Sequence, residues 1–133
     1  MTVARTMVTT ALLTMLGCGA ALADPPGKRM SADEIKAELI GNTSIGAMAN
    51  GGSAFVGYTT PEGVQKVKLG AMQDSGSYQI TADGRWCTKW QKISGGQELC
   101  RLVYKDSDTY YWIDLAGSIV ASFKVKAGNT GGL

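Results

Sequence analysis

The segment Arg85-Trp-Cys-Thr-Lys-Trp90 and, after a glycine-containing turn, the segment Glu98-Leu-Cys-Arg-Leu-Val103 determine how this chain folds. Both segments contain aromatic or branched residues and alternate in polarity, which predicts the two strands of a hairpin. If the two cysteines face each other across this hairpin, Trp86 lies opposite Arg101. One face of the hairpin then carries the cysteines and the other face carries the tryptophans.

The cysteine face of the hairpin is the more polar one. In the register set by Cys87 and Cys100, Lys89 lies opposite Glu98, which adds an opposite-charge pair to that face. The N-terminal sequence described below indicates export, and in an oxidising compartment an even pair of cysteines predicts a disulfide. We therefore expect a disulfide between Cys87 and Cys100 on the outer surface of the sheet.

The opposite face of the hairpin is apolar and contains Trp86 and Trp90. We expect it to line the inside of the fold. Arg101 belongs to the same face, and its position opposite Trp86 predicts that the guanidinium stacks on the indole ring.

Segments on both sides of the hairpin also show a period of two, separated by glycine-rich or aspartate-rich turns every 8 to 12 positions, about the spacing of consecutive hairpins. One such predicted turn is Gln73-Asp-Ser-Gly76. The connections are too short for parallel crossovers, so the pattern predicts an antiparallel up-and-down meander. The predicted strands lie near residues 43–49, 54–59, 64–71, 76–81, 85–92, 97–105, 109–115 and 118–126.

These strands predict a mainly β fold in which about eight strands form a lipocalin-like barrel or a half-barrel. A short helix of about three turns precedes them. Ser31 and Glu34 have the spacing of a capping box, and Met30 and Ile35 that of a hydrophobic staple. Gly41 is expected to end the helix, which then covers an end or an edge of the sheet.

The first 23 residues resemble a cleaved secretion signal. Arg5 is their only charged residue, an uncharged run follows, and the tail Ala21-Leu-Ala23 has the small residues of a cleavage site. A lipid-anchored alternative places Cys18 at the cleavage point, but the bulky Leu16 is unusual in such a signal. We predict a signal peptide at 1–23, a flexible leader at 24–30 and one β domain at 31–133, periplasmic or secreted and without a transmembrane segment in the mature chain.

The composition excludes most catalytic chemistry. The chain contains no histidine, which removes the usual general base and the commonest metal ligand. With both mature cysteines oxidised, no thiolate nucleophile or cysteine-type zinc site remains. No nucleotide-binding or haem-attachment motif is present, so we predict no enzyme, no cofactor and no metal. The net charge of +2 argues against nucleic acid as a partner.

The aromatic residues are the feature that suggests a binding site. Trp86, Trp90 and Arg101 share the inward face of the hairpin, and Tyr111, Ile113 and Leu115 are assigned inward on a later strand. Tyr110 and Trp112 then lie on the opposite face, so either they are exposed or the inward face of that strand is the other one. If exposed, they form a candidate patch for a partner or a sugar.

The order of motifs resembles that of small exported proteobacterial proteins grouped as domain of unknown function 995. The motifs are Leu39-Ile-Gly-Asn-Thr43, Asp74-Ser-Gly-Ser-Tyr-Gln-Ile80, Asp83-Gly-Arg-Trp-Cys-Thr-Lys-Trp90 and the later Cys100. The resemblance spans about residues 32 to 115, although Tyr78 stands where tryptophan is commoner. It implies export and a β-rich fold, and it implies no activity.

A second resemblance is to periplasmic lysozyme inhibitors, which are small disulfide-bearing antiparallel barrels with a Ser-Gly-x-x-Tyr loop. Ser75-Gly-Ser-Tyr78 is similar to that loop with one spacer missing. The first functional hypothesis is a non-catalytic binding or envelope-associated module for a small apolar or sugar-like ligand or an envelope protein. The alternative is an inhibitor of a lysozyme-like hydrolase, with Ser75 in the inserted loop.

Overall fold

The computed structural model describes residues 24–133, so the predicted signal peptide at 1–23 and Cys18 lie outside the described residues. Within the described part the structure is mainly β with one short helix, as the sequence predicts. The elements are β1 Lys28–Arg29, α1 Ala32–Leu39, β2 Asn42–Met48, β3 Ala54–Thr59, β4 Val64–Leu69, β5 Met72–Ile80, β6 Arg85–Trp90, β7 Glu98–Asp106, β8 Thr109–Ile113 and β9 Ile119–Ala127.

Strands β2 to β9 form a closed, eight-stranded antiparallel barrel. Each strand pairs with the next one in the chain, and β9 pairs back with β2. The predicted up-and-down meander is therefore confirmed, and it closes as a barrel rather than remaining a half-barrel. Closure removes the unpaired edges that an open sheet of these strands would present.

The β6–β7 hairpin has the predicted register. Cys87 is paired with Cys100, and Trp86 with Arg101. The two sulfur atoms lie 2.11 Å apart, which is disulfide distance. Lys89 lies opposite Glu98 as predicted, but no ion pair joins their side chains among residues 24–133.

The predicted turn at 73–76 is wrong. These residues lie inside β5, which begins at Met72, and the turn from β4 is made by Gly70 and Ala71. Asp74 and Gly76 thereby become inward positions of a strand, since they pair with Val67 and Gln65 of β4. Asp, Ser and Gly favour turns locally, but the barrel places them in a ladder because tertiary pairing overrides a weak local preference.

The helix closes one end of the barrel, which we call the helix end. Its predicted capping box forms between Ser31 and Glu34, and it is eight residues long, about two turns rather than the expected three. Met30, Ile35 and Leu39 are buried in the core. The leader predicted as flexible ends in a paired segment, because Lys28 and Arg29 form β1 against β7.

Polar contacts also join α1 to the helix end. The carboxylate of Glu38 accepts a hydrogen bond from Lys105 Nζ at 2.7 Å and one from the hydroxyl of Tyr110 at 2.5 Å. These two contacts with Lys105 and Tyr110 lower the pKa of Glu38 from its ordinary value, although partial burial opposes the shift. The helix is therefore attached by apolar burial and by a charged hydrogen-bond cluster.

The inward face of β8 is the one that carries Tyr110 and Trp112. Both aromatic rings stack on Phe123 of β9, with ring centroids 5.5 and 5.1 Å apart. The assignment of Tyr111 and Leu115 to the interior is therefore wrong, and Leu115 is 55% exposed. The reason is that Trp112 pairs with Val103 of β7, which is fully buried. Directly paired residues lie on the same face of a sheet, so Trp112 points inward. Ile113 is fully buried as predicted, and the register of β8 against β9 shifts between Trp112 and Ile113.

Candidate functional site

A cavity of about 130 Å³ occupies the barrel interior on the side away from the helix. The outer part of the cavity is lined by the last residues of several strands, among them Met48 of β2, Leu69 of β4 and Trp90 of β6. We call this the open end of the barrel. Apolar side chains dominate the wall of the cavity, including Met48, Phe55, Val67, Leu69, Ile93 and Leu99.

Small inward residues leave the space that forms the cavity. Gly57 of β3 pairs with Ser44 of β2, and both lie in the cavity wall. A Cβ built on Gly57 meets only one atom within 4 Å, the carbonyl oxygen of Lys66 at 3.6 Å. Glycine at this inward position therefore leaves space where a larger side chain would fill the barrel.

All three tryptophans of the chain line the cavity. They are Trp86, Trp90 and Trp112, from β6 and β8. Trp86 is fixed between two other rings, because Tyr78 stacks on it at 5.1 Å and Trp112 meets it edge to face at 5.0 Å. The indole rings therefore form a largely rigid aromatic wall, of the kind that binds apolar or planar ligands.

Two hydrogen-bond donors in the cavity wall have no partner among residues 24–133. They are Nε2 of Gln65 and Nε1 of Trp86, whose residues are only 5% and 2% exposed. A buried donor without an acceptor costs about 1 to 3 kcal/mol, so native structures rarely contain one without a reason. An acceptor placed against these two nitrogens would recover this cost.

Arg101 adds a third donor group to the same wall. Its side chain is half-buried inside the barrel, and no carboxylate lies within ion-pair distance of its guanidinium among the described residues. Burial lowers the pKa of Arg101, and the more distant Asp114 offsets part of that shift. Among residues 24–133 the cation–π contact is that of Lys105 on Tyr110, so the predicted stacking of Arg101 on Trp86 does not form. The rings of Tyr78 and Trp112 contact Trp86 instead.

The tight turn Ile93–Gly96 lies across the open end and carries Ile93 into the cavity wall. Asp74, which is 7% exposed, holds the turn through Oδ2, which accepts hydrogen bonds from the backbone N–H groups of Lys92 at 2.9 Å and Ile93 at 2.8 Å. Its Oδ1 accepts a third from its neighbour Ser75. Burial favours the neutral acid, but these donors outweigh it and lower the pKa of Asp74 from its ordinary value.

The structure brings four of the six predicted binding residues together. Trp86, Trp90, Trp112 and Arg101 line one cavity. Tyr110 does not reach it and is buried at the helix end on Phe123 and Glu38. Ser75 lies within β5 and lines a shallow surface depression instead, and it is not part of a protruding loop.

Three residues of the cavity wall, Gln65, Gly57 and Ile93, are not among the site residues predicted from the sequence. The signal for Gln65 was present, because Lys66 and Lys68 alternate with the inward Val67 and Leu69, and the same alternation places Gln65 inside. No comparable signal existed for Gly57 or Ile93. Their role depends on which side chains face them across the barrel.

Comparison with known proteins adds no assignment to this site. No family model, curated protein or solved structure matches the chain. The resemblances to domain of unknown function 995 and to lysozyme inhibitors therefore stay predictions. Among residues 24–133, no helix has the length and apolar character required to cross a bilayer.

Proposed function

We propose that this protein is a non-catalytic binding module that holds a small, mostly apolar ligand inside its barrel. The observation that carries the proposal is a cavity walled by three tryptophans, in which two buried donors, on Gln65 and Trp86, have no partner within the part of the chain that the structure describes. Ligand sites are typically apolar concavities with a few placed polar groups, which is the composition found here. Within the described chain, the cavity wall contains no aspartate, glutamate or free thiol to serve as a catalytic base or nucleophile.

The size of the cavity limits the ligand. A cavity of about 150 Å³ accommodates benzene, and the volume here is about 130 Å³. The space therefore suits one aromatic ring or a short aliphatic chain. A sugar carries hydroxyl groups on every side and would need more polar partners than this wall offers, so the composition favours an apolar ligand over a sugar-like one.

We also propose that the module works in the periplasm or outside the cell. The support is the signal-like sequence at residues 1–23 together with Cys87 and Cys100 at disulfide distance. Structural disulfides persist in oxidising compartments and are rare in the cytosol. A small ligand of the envelope, rather than a cytosolic metabolite, is accordingly the expected occupant.

The binding proposal is tested by titrating purified residues 24–133 with toluene and following tryptophan fluorescence. Because Trp86, Trp90 and Trp112 all line the cavity, an occupant should change the emission directly. We expect saturable binding to the wild type. Gly57→Leu should abolish it, because the new side chain occupies the space that the ligand needs.

The matched control for this test is Lys68→Leu, which adds a leucine on the outward face of the neighbouring strand β4. It should bind toluene as the wild type does. A wild-type protein that binds none of toluene, glucose and benzoate, with native mass spectra of the secreted protein showing no retained molecule, would refute the proposal. Glucose binding without toluene binding would instead favour the sugar-like alternative and refute the apolar assignment.

A further inference from the structure

The polar groups of the cavity wall are arranged along the barrel axis. Gln65 and Trp86 are the second residues of β4 and β6, so they lie toward the helix end of the cavity. Met48, Leu69 and Trp90 are the last residues of their strands and lie at the open end. The cavity therefore has donors at its inner part and apolar side chains at its entrance.

Three residues with hydrogen-bond donors line the inner part of the cavity. Trp86 and Arg101 are direct cross-strand partners, and Gln65 lines the same cavity from β4. Each offers N–H groups, and Arg101 adds a full positive charge that does not titrate in the physiological range. No acidic side chain lies in the cavity wall formed by the described residues. The group that complements this arrangement is an acceptor with negative charge.

Building on the proposed binding function, we infer that the ligand is a small amphipathic carboxylate. Its carboxylate lies against Arg101, Trp86 Nε1 and Gln65 Nε2, and its apolar part extends toward Met48, Leu69 and Trp90. One guanidinium balances one negative charge, and its planar fork matches the two oxygens of a carboxylate. The volume of about 130 Å³ restricts the apolar part to a single ring or a short chain.

The unpartnered donors favour an amphipathic carboxylate over a purely apolar ligand. A hydrocarbon would fill the cavity but leave Gln65 Nε2 and Trp86 Nε1 without acceptors. A carboxylate presents about four lone-pair sites, enough for both donors and for Arg101. Hydrogen bonds to a charged acceptor are about twice as strong as neutral ones, so the anion is favoured over a neutral isostere.

The test compares benzoate with benzamide, which has the same shape and no charge, by calorimetry and tryptophan fluorescence at pH 7.5 on residues 24–133. We expect benzoate to bind the wild type at least about tenfold more tightly than benzamide. Binding should shift the NMR signal of the Trp86 indole N–H, assigned by its absence in Trp86→Phe. A neutral aromatic probe that only fills the cavity should shift that signal much less.

Variants separate the charge from the cavity. Arg101→Met should weaken benzoate binding about tenfold or more and leave benzamide binding within about twofold of the wild type. Lys68→Met removes the same charge from the outer face and should change neither. Gln65→Leu should weaken benzoate binding by a smaller factor, since it removes one neutral donor.

The outcomes distinguish this inference from the binding function itself. If benzamide or toluene binds and benzoate binds no better, the carboxylate assignment is overturned while the binding module stands. If no probe binds the wild type, the binding function is refuted first. If Arg101→Met does not fold, the wild-type comparison and Gln65→Leu still decide, because neither depends on that variant. Equal binding of benzenesulfonate and benzoate would overturn the specific assignment to a carboxylate.

Discussion

Two inward glycines of the barrel have opposite surroundings, although nothing in the sequence distinguishes them. A Cβ on Gly46 would overlap the carbonyl oxygen of Ser122 and lie 2.6 Å from the Cβ of Phe123. A Cβ on Gly57 would project into the cavity with ordinary contacts. Gly46 therefore allows β9 to approach β2 closely. Gly57 instead leaves part of the cavity unfilled.

We predict that Gly46→Ala destabilises the protein by about 3 kcal/mol, because backbone and Phe123 must move to admit the methyl group. Gly57→Ala is the matched control and should change the free energy of unfolding by less than about 1 kcal/mol. Urea unfolding followed by tryptophan fluorescence measures both. Equal losses for the two variants would contradict the placement of the cavity beside Gly57.

The turn across the open end depends on one buried carboxylate. Asp74→Ala leaves the N–H groups of Lys92 and Ile93 without their acceptor, and we expect a loss of about 2 kcal/mol in the free energy of unfolding. Asp108→Ala, which removes an exposed carboxylate paired with Lys124, should stay close to the wild type. Chemical denaturation of the two variants checks this expectation.

The contribution of Asp74 should also depend on pH in a defined direction. Its pKa in the folded state lies below the ordinary value, so its stabilisation is complete above about pH 4 and is lost as pH falls through the folded-state pKa. The difference in melting temperature between wild type and Asp74→Ala should therefore narrow in acid. A difference that widens below about pH 4 would contradict this assignment.

Among the larger elements, α1 is held mainly by its apolar face. Ile35 and Leu39 are fully buried, and the Glu38 cluster at the same end is about one-third exposed. Exposed or partly exposed ion pairs contribute little, since water screens them. The packing of α1 against the barrel should therefore dominate its stability.

We predict that Leu39→Ala costs about 2 to 5 kcal/mol, because a fully buried side chain is replaced by a cavity. Lys36→Ala on the exposed side of the same helix should be nearly neutral. Because the helix closes the end opposite the cavity entrance, benzoate affinity of the folded Leu39→Ala protein should equal that of the wild type. A loss of affinity without a loss of stability would contradict this separation of the two ends.

Considered as a whole, the barrel is closed by backbone pairing and cross-linked once. The disulfide joins residues 13 positions apart in one hairpin, on the face opposite the tryptophans. In the chain-entropy account, a loop of this size contributes about 3 kcal/mol by restricting the unfolded chain. The contribution should act on stability and leave the folded barrel unchanged.

We therefore expect the double variant Cys87→Ala, Cys100→Ala to keep the β circular dichroism spectrum and lose about 3 kcal/mol of stability. Dithiothreitol should shift the unfolding midpoint of the wild type toward that of the variant and should not affect the variant itself. If reduction leaves the wild-type midpoint unchanged, the sulfurs are not bonded and the argument for an oxidising compartment loses its structural support.

Alternation of polarity and the positions of turn residues predict the number of barrel strands and their antiparallel order, although they place the start of β5 four residues too late. The cysteine pair was sufficient to predict the register of β6 and β7. These features are local, because hairpins join neighbouring segments and a period of two reports which residues share a face. The helix was predictable for the same reason, since Ser31 and Glu34 cap it within one turn.

Local sequence patterns do not predict that the barrel closes. They also do not predict which face of β8 points inward or which residues form the site. Periodicity groups residues by face but does not say which face is inside, and for Tyr110 and Trp112 the packing on Phe123 settled that question. Gln65, Trp86 and Arg101 come from three strands and meet only because the sheet curls into a ring. A cavity is defined by distances across the barrel. Such distances depend on tertiary packing rather than on neighbours along the chain.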